Sequence, residues 1–215
     1  MTKLLIAGAT GLIGKRALQL ALSDPRVERV VALTRRPIAT HDKVENIVLD
    51  LAELPEAADW WVVDGVISAL GTTRAVTQSP EEYRMIDHGH PLAIGRHARQ
   101  HGATRFALVS SLGADARSRF AYTRLKGELE RDLAQVGFAS LTIARPSMLA
   151  GDRDPPRTGE EALIAAFRAL GRMLPSRWRV SPAGVVAAAL VEGAIAGPPG
   201  VHILHNREMA QPRQG

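Results

Sequence analysis

Lys3-Leu4-Leu5-Ile6-Ala7-Gly8-Ala9-Thr10-Gly11-Leu12-Ile13-Gly14 runs from an unbroken apolar stretch through three glycines into a helical pattern. A strand buried on both faces of a parallel sheet reads as such a continuous apolar run. Gly8 permits a tight turn, Gly11 lets backbone N–H groups approach a pyrophosphate, and Gly14 lets the helix lie close on the strand. The helix, read as Leu12–Ser23, then points its unpaired N–H groups and positive dipole end at the anion. Gly8, Thr10, Gly11, Leu12, Ile13 and Gly14 are therefore candidate phosphate-binding residues. The spacing is G-x-x-G-x-x-G, not the G-x-G-x-x-G fingerprint, so the reading rests on the strand before the glycines and the helix after them.

Working outward, the same alternation continues. Apolar runs at 30–33, 47–49, 62–68, 106–110, 141–144 and 201–204 predict further strands. Helical patterns at 80–100, 119–135, 160–170 and 182–196 fall between several of them. Strands alternating with helices predict an α/β fold, a doubly wound parallel sheet with helices on both faces. A length of 215 residues fits one domain, read as residues 1–209 with a tail at 210–215. Residues 146–200 are expected to supply the substrate pocket, with the Gly/Pro/Arg-rich loop 146–159 and the helix from Glu160 as a lid.

The second strand ends in Thr34-Arg35-Arg36. NAD sites place an acid about 20 residues past the glycines to accept the ribose hydroxyls, and a guanidinium instead pairs with a 2′-phosphate. Arg35 and Arg36 thus predict NADPH in preference to NADH. Farther on, Tyr122-Thr123-Arg124-Leu125-Lys126 sets a tyrosine and a lysine at i and i+4, on one helix face. With two tyrosines and four lysines in the chain, this is about a 4% coincidence. An ammonium near a phenol favours the phenolate, which suits Tyr122 to exchange a proton with a substrate oxygen. The strand before that helix ends in Ser110-Ser111, at the strand end where ligands bind in such sheets. Ser111 is the candidate to hold the reacting oxygen, with Ser110 the alternative.

Composition excludes other chemistries. The chain has no cysteine, so disulfides, thiolate metal sites and thiol nucleophiles are out. A net charge of +5 comes from arginines scattered along the chain, and only 4% of residues are aromatic. Neither supports a nucleic-acid reading module. His97 and His101 lack a zincin glutamate, and no metal site is expected. Gly14-Lys15-Arg16 lacks the last residue of a P-loop, and the serines lack a nucleophile elbow. No apolar run is long enough to span a bilayer. The expected setting is a cytoplasmic monomer or homodimer acting on a small molecule.

Together these motifs resemble the short-chain dehydrogenase/reductase superfamily, in its atypical branch. The resemblance is to the Tat-interacting-protein-like oxidoreductases, over about residues 3–205. It is carried by Leu70-Gly71-Thr72-Thr73-Arg74, Asp87, Val109-Ser110-Ser111-Leu112-Gly113-Ala114-Asp115, Tyr122 to Glu128, Arg145-Pro146, and Gly151-Asp152-Arg153 with Arg157 and Glu160. The resemblance implies a Rossmann-like fold with NADPH in the crevice and a catalytic Ser111, Tyr122 and Lys126. It implies that Asp50 and Leu51 border the adenine, that Ala69, Leu70 and Gly71 line the cofactor path, and that Arg145 and Pro146 shape the nicotinamide pocket. Ser147 and Thr158-Gly159-Glu160-Glu161 depart from the family pattern. The expected activity is an NADPH-dependent reduction of a small carbonyl or quinone-like substrate. The alternative is a dinucleotide-binding regulatory protein.

Overall fold

The computed structural model describes residues 1–72, 77, 79–147, 149–150 and 180–210. Its centre is a seven-stranded sheet in the order β3-β2-β1-β4-β5-β6-β9, with every neighbouring pair parallel. The strands are β1 (Thr2–Ala7), β2 (Val27–Thr34), β3 (Val44–Val48), β4 (Gly65–Ser68), β5 (Arg105–Val109), β6 (Ser140–Ala144) and β9 (Gly200–Leu204). A separate two-stranded pairing joins β7 (Leu149–Ala150) to β8 (Ser181–Pro182), which periodicity did not reveal. The chain winds one way from β1 to β3 and the other way from β4, so the switch point lies between β1 and β4. That is where ligands bind in open sheets of this kind.

Each face of the sheet has its own apolar core. On one, α1 (Leu12–Ser23) and the helix Ala183–Ala196, here α5, cover Leu4, Ile6, Val30, Ala32, Ile67 and Ala107. On the other, α3 (His90–Gln100) and α4 (Ala121–Ala134) cover Leu5, Val31, Val66, Phe106, Leu108, Leu141 and Ile143. Odd and even strand positions thus feed opposite cores, the period-two rule of a pleated strand. α1 stops before Pro25, which cannot continue it, and Lys43 Nζ donates to the Val27 carbonyl at 3.0 Å and the Leu22 carbonyl at 3.4 Å. A short last helix, α6 (Asn206–Ala210), follows β9.

Two expectations shift. The strand read at 62–68 begins only at Gly65, because Asp59–Trp61 form a 3₁₀ turn with Trp61 buried and its Nε1 donating to the Pro55 carbonyl. The helix at 80–100 is not continuous: α2 (Pro80–Arg84) passes through a π-helical turn, Met85–Gly89, into α3. Pro91 accounts for this. A proline inside a helix lacks its N–H and clashes with the carbonyl four residues back, here that of Asp87, and widening the turn relieves both. The helix read at 160–170, most of the 146–200 segment, and all but Ala210 of the tail lie outside the described residues.

Candidate functional site

The glycine turn is built from backbone. Gly8 has φ of 86°, and a Cβ there would stand 2.7 Å from the Ala69 carbonyl oxygen. A Cβ on Gly14 would stand 2.0 Å from the Gly8 oxygen, so the first turn of α1 rests directly on the loop. Gly11 N–H donates to the same oxygen at 3.0 Å. Gly11 is the N-cap, no side chain caps the helix, and its first turn holds no acid. Leu12, Ile13 and Gly14 begin that turn, where amide groups lack helical partners. An uncapped helix start behind a side-chain-free turn fits a pyrophosphate.

Around this cradle, Arg35 and Arg36 lie exposed just beyond β2, and neither forms an ion pair with any described acid. Asp50 caps a short 3₁₀ turn over Leu51–Glu53, accepting from Ala52 N–H at 3.0 Å. His90, at the start of α3, is a neighbour that sequence reading missed. Burial pushes its pKa down, while Asp50 and the Leu51 backbone act in the opposite direction.

The loop leaving β4 carries Ala69, Leu70 and Gly71. Ala69 N–H donates to the Ala7 carbonyl at 2.9 Å, which ties this loop to the glycine turn. The next residue, Thr72, donates its N–H to Asp87 Oδ2 at 2.8 Å. Asp87 Oδ1 lies 2.7 Å from Lys126 Nζ. This ion pair is buried, with side-chain exposures of 1% and 5%, and a Cβ on Gly71 would stand 3.7 Å from Asp87 Oδ1 and 3.9 Å from Lys126 Nζ. Two further links join the same helices: Arg84 to Glu128 at 2.7 Å and His88 to Asp132 at 2.9 Å. Burial raises the Asp132 carboxyl, but hydrogen bonds from His88 and Arg131 outweigh it and hold the group below its usual range.

Tyr122 sits on the first turn of α4, one helical turn before Lys126, and is 46% exposed. The two adjacent serines have different surroundings. Ser110 is buried and donates its hydroxyl to Glu130, whereas the Ser111 hydroxyl is part-buried and donates to the Leu112 carbonyl at 3.1 Å. Glu130 also accepts from Arg145 Nε at 3.0 Å. Arg145 is thus held by a carboxylate from α4, a contact the sequence did not suggest. Pro146 is buried and its carbonyl accepts from Leu112 N–H at 2.8 Å, binding the serine loop to the end of β6. Ser147 stands in a polar cluster with Ser181 and Asn206, its Oγ accepting from Asn206 Nδ2 at 3.0 Å.

A family model described as NAD(P)H-binding matches residues 8–191. The chain belongs to this NAD(P)H-binding family. The NAD(P)H-binding match and the parallel doubly wound sheet agree with the resemblance to the atypical short-chain dehydrogenase/reductases. Among relatives, a protein named Fmp52, mitochondrial, from Emericella nidulans is 33% identical over 181 residues, covering 80% of this chain and 78% of the relative. The Candida albicans protein of that name is 37% identical over 157 residues, covering 69% and 67%. The solved structure of MoeE5 with UDP-glucose and NAD superposes with a TM-score of 0.72 at 19% identity, covering 96% of this chain and 79% of that one. A short-chain dehydrogenase family protein from Francisella tularensis superposes with a TM-score of 0.65 at 15% identity, covering 98% and 100%. At such identities these structures speak for the fold, which is the Rossmann-like arrangement expected.

The relatives correct one expectation. They are named as mitochondrial proteins, which overturns the cytoplasmic reading. That reading rested on finding no apolar run long enough to span a bilayer, and an absence carries no address. Among the described residues no helix is long and apolar enough to cross a membrane.

The family site also has a neighbour it did not predict. An open groove of about 510 Å³ lies between α4 and the β9 edge, lined by Asp115, Gly127, Glu130, Arg145, Val201 and Ile203 among others. It adjoins the Glu130–Arg145 pair from outside. Arg153 and Arg157, which carry part of the resemblance, lie outside the described residues, as do Thr73 and Arg74.

Proposed function

We propose that this protein is an NADPH-dependent reductase of a small carbonyl or quinone-like substrate. The observation that carries the reading is Tyr122 one helical turn before a buried Lys126, whose ammonium adjoins Gly71 of the β4 exit loop. NADPH, when bound, supplies the hydride. Tyr122 gives its phenolic proton to the substrate oxygen as the carbonyl carbon is reduced, and its exposure leaves the hydroxyl accessible to a substrate. Ser111 hydrogen-bonds that oxygen and stabilises its developing charge. Ser110 is the weaker choice, because its hydroxyl already serves Glu130. Lys126 keeps two N–H donors beyond Asp87, enough to hold ribose hydroxyls. Gly8 to Gly14 cradle the pyrophosphate, Asp50 and Leu51 border the adenine, and Arg35, with Arg36 beside it, selects the 2′-phosphate. Ala69 to Gly71, Arg145 and Pro146 form the nicotinamide end. The names of the relatives point to a mitochondrial setting, and the acting species is a monomer or homodimer without nucleic-acid or membrane partners.

The test is NADPH oxidation across a panel of carbonyls and quinones. Tyr122→Phe should keep nucleotide affinity and lose about 10²- to 10⁴-fold in turnover. Wild-type turnover in that variant removes Tyr122 as the donor. Tight NADPH binding with no substrate turned over supports a regulatory dinucleotide-binding protein instead.

A further inference from the structure

The ionisable groups around the Tyr–Lys face are matched in pairs. Arg84 of α2 meets Glu128, His88 of the π-helical turn meets Asp132, and Arg145 after β6 meets Glu130. On the open side of α4, Arg124 donates to the Ser118 carbonyl, and Asp115 accepts from Arg117 N–H. What is left for Lys126 is Asp87, and it lies in the widened turn that Pro91 enforces. Its two carboxylate oxygens face different elements: one takes the Lys126 ammonium and the other takes Thr72 N–H from the β4 loop.

We propose that Asp87 is a positioning residue of the Tyr–Lys site, holding the Lys126 ammonium against the loop that leaves β4 and offsetting its charge at Tyr122. This rests on the proposed function only in naming Tyr122 as the proton donor. A lone ammonium beside a phenol favours the phenolate, so a counter-charge on the ammonium sets how strongly the phenol is shifted. A carboxylate in direct contact with that ammonium cancels most of its field at a distance. Lys126 then acts as an oriented hydrogen-bond donor. The second oxygen of Asp87 adds a mechanical link, since the loop bearing Gly71 cannot shift without disturbing the ammonium. An asparagine would accept from Thr72 N–H equally well but would leave the lysine charge uncompensated.

The test is a spectrophotometric titration of phenolate in the full chain without nucleotide. The chain has two tyrosines, Tyr83 and Tyr122, so the Tyr122 contribution follows by difference from Tyr122→Phe. In Asp87→Asn, Tyr122 should ionise at a pH lower by roughly half a unit, less than the one to three units a charge in direct contact produces. In Lys126→Met it should ionise at a higher pH, and in the doubly substituted chain close to the wild-type value. An unmoved Tyr122 in folded Asp87→Asn overturns the inference, and so does a double variant that does not return toward wild type. If Asp87→Asn alone does not fold, adding Lys126→Met should restore folding by removing the orphaned charge. A double variant no more stable than the single one overturns the pairing. Nucleotide binding does not enter this readout, so failure to bind NADPH would defeat the proposed function and leave this inference intact.

Discussion

At the β1–α1 turn the chain offers backbone: three glycines, an uncapped helix start and no acidic side chain in its first turn. At the α4 wall it offers side chains, in buried or half-buried pairs that join Lys126 to Asp87, Glu130 to Arg145 and Ser110, and Asp132 to His88. The first region is rigid because atoms are already in contact, with a Cβ on Gly14 falling 2.0 Å from a carbonyl oxygen. The second is held because charges removed from water need partners. A turn of the first kind has no cheap substitution. A wall of the second kind tolerates concerted changes that keep charges matched. The two regions are linked through the β4 exit loop, by Ala69 to β1 and by Thr72 to Asp87.

If the contrast holds, the largest single effect belongs to the turn. Gly14→Val should cost about 4 kcal/mol or more, because the obstructing atom is backbone and cannot swing away. Urea denaturation measures it, and a loss under about 1 kcal/mol would mean that the turn adapts as side chains do. Breaking the wall should cost less. Glu130→Ala leaves Arg145 and Ser110 without their shared acceptor. Because the Arg145 side chain keeps 20% exposure and can turn toward water, the cost should be about 2–3 kcal/mol, below the usual range for a fully buried pair. Replacing both charged residues of the pair with apolar ones of similar size should recover part of that loss. No comparable second-site rescue is expected for Gly14→Val.

The same contrast explains what was legible in the sequence. The glycine turn lies within seven consecutive positions, so the strand, the turn and the helix start were read as structure, and α1 was placed at Leu12–Ser23. Tyr122 and Lys126 were readable because helical spacing joins them locally. Asp87, by contrast, is 39 positions from Lys126, and no local pattern reports a pair across such a gap. Its place in the site also depends on the π-helical turn, whose cause, Pro91, was present in the sequence but was read through as part of a long helix. Glu130 and Arg145 are 15 positions apart on different elements, which is why Ser110 and Ser111 could not be told apart from sequence. His90 lay hidden for the same reason, since its neighbours Asp50 and Leu51 come from beyond β3.

Arg35 tests the turn's side of the crevice without disturbing its backbone. It is exposed and forms no ion pair with a described acid, so Arg35→Ala should leave stability within about 0.5 kcal/mol. If it meets the 2′-phosphate, NADPH affinity should fall about tenfold while NADH affinity holds, as expected for one charged hydrogen bond at the surface. Titration of both nucleotides by fluorescence decides it. An equal loss for both would assign Arg35 to general attraction of anions.

The smallest expected effect is a pH dependence at the start of α3, at His90 beside Asp50 and Leu51. Burial holds the folded-state pKa of His90 below the ordinary value of about 6.5, with Asp50 opposing. An imidazole in the unfolded chain therefore binds a proton at a higher pH than the folded one does. Between the folded pKa and about 6.5, the unfolded state carries more protons, so stability rises with pH across that window. The contribution is fully present above about 6.5 and is lost as the pH falls through the folded pKa. His90→Gln removes the titrating group and should flatten this part of the stability–pH curve, while Asp50→Asn should steepen it by removing the opposing charge. Thermal melts of the three proteins across mildly acidic pH provide the measurement. A slope unchanged in His90→Gln would assign the acid sensitivity to other groups. A slope made shallower by Asp50→Asn would reverse the sign of the Asp50 contribution.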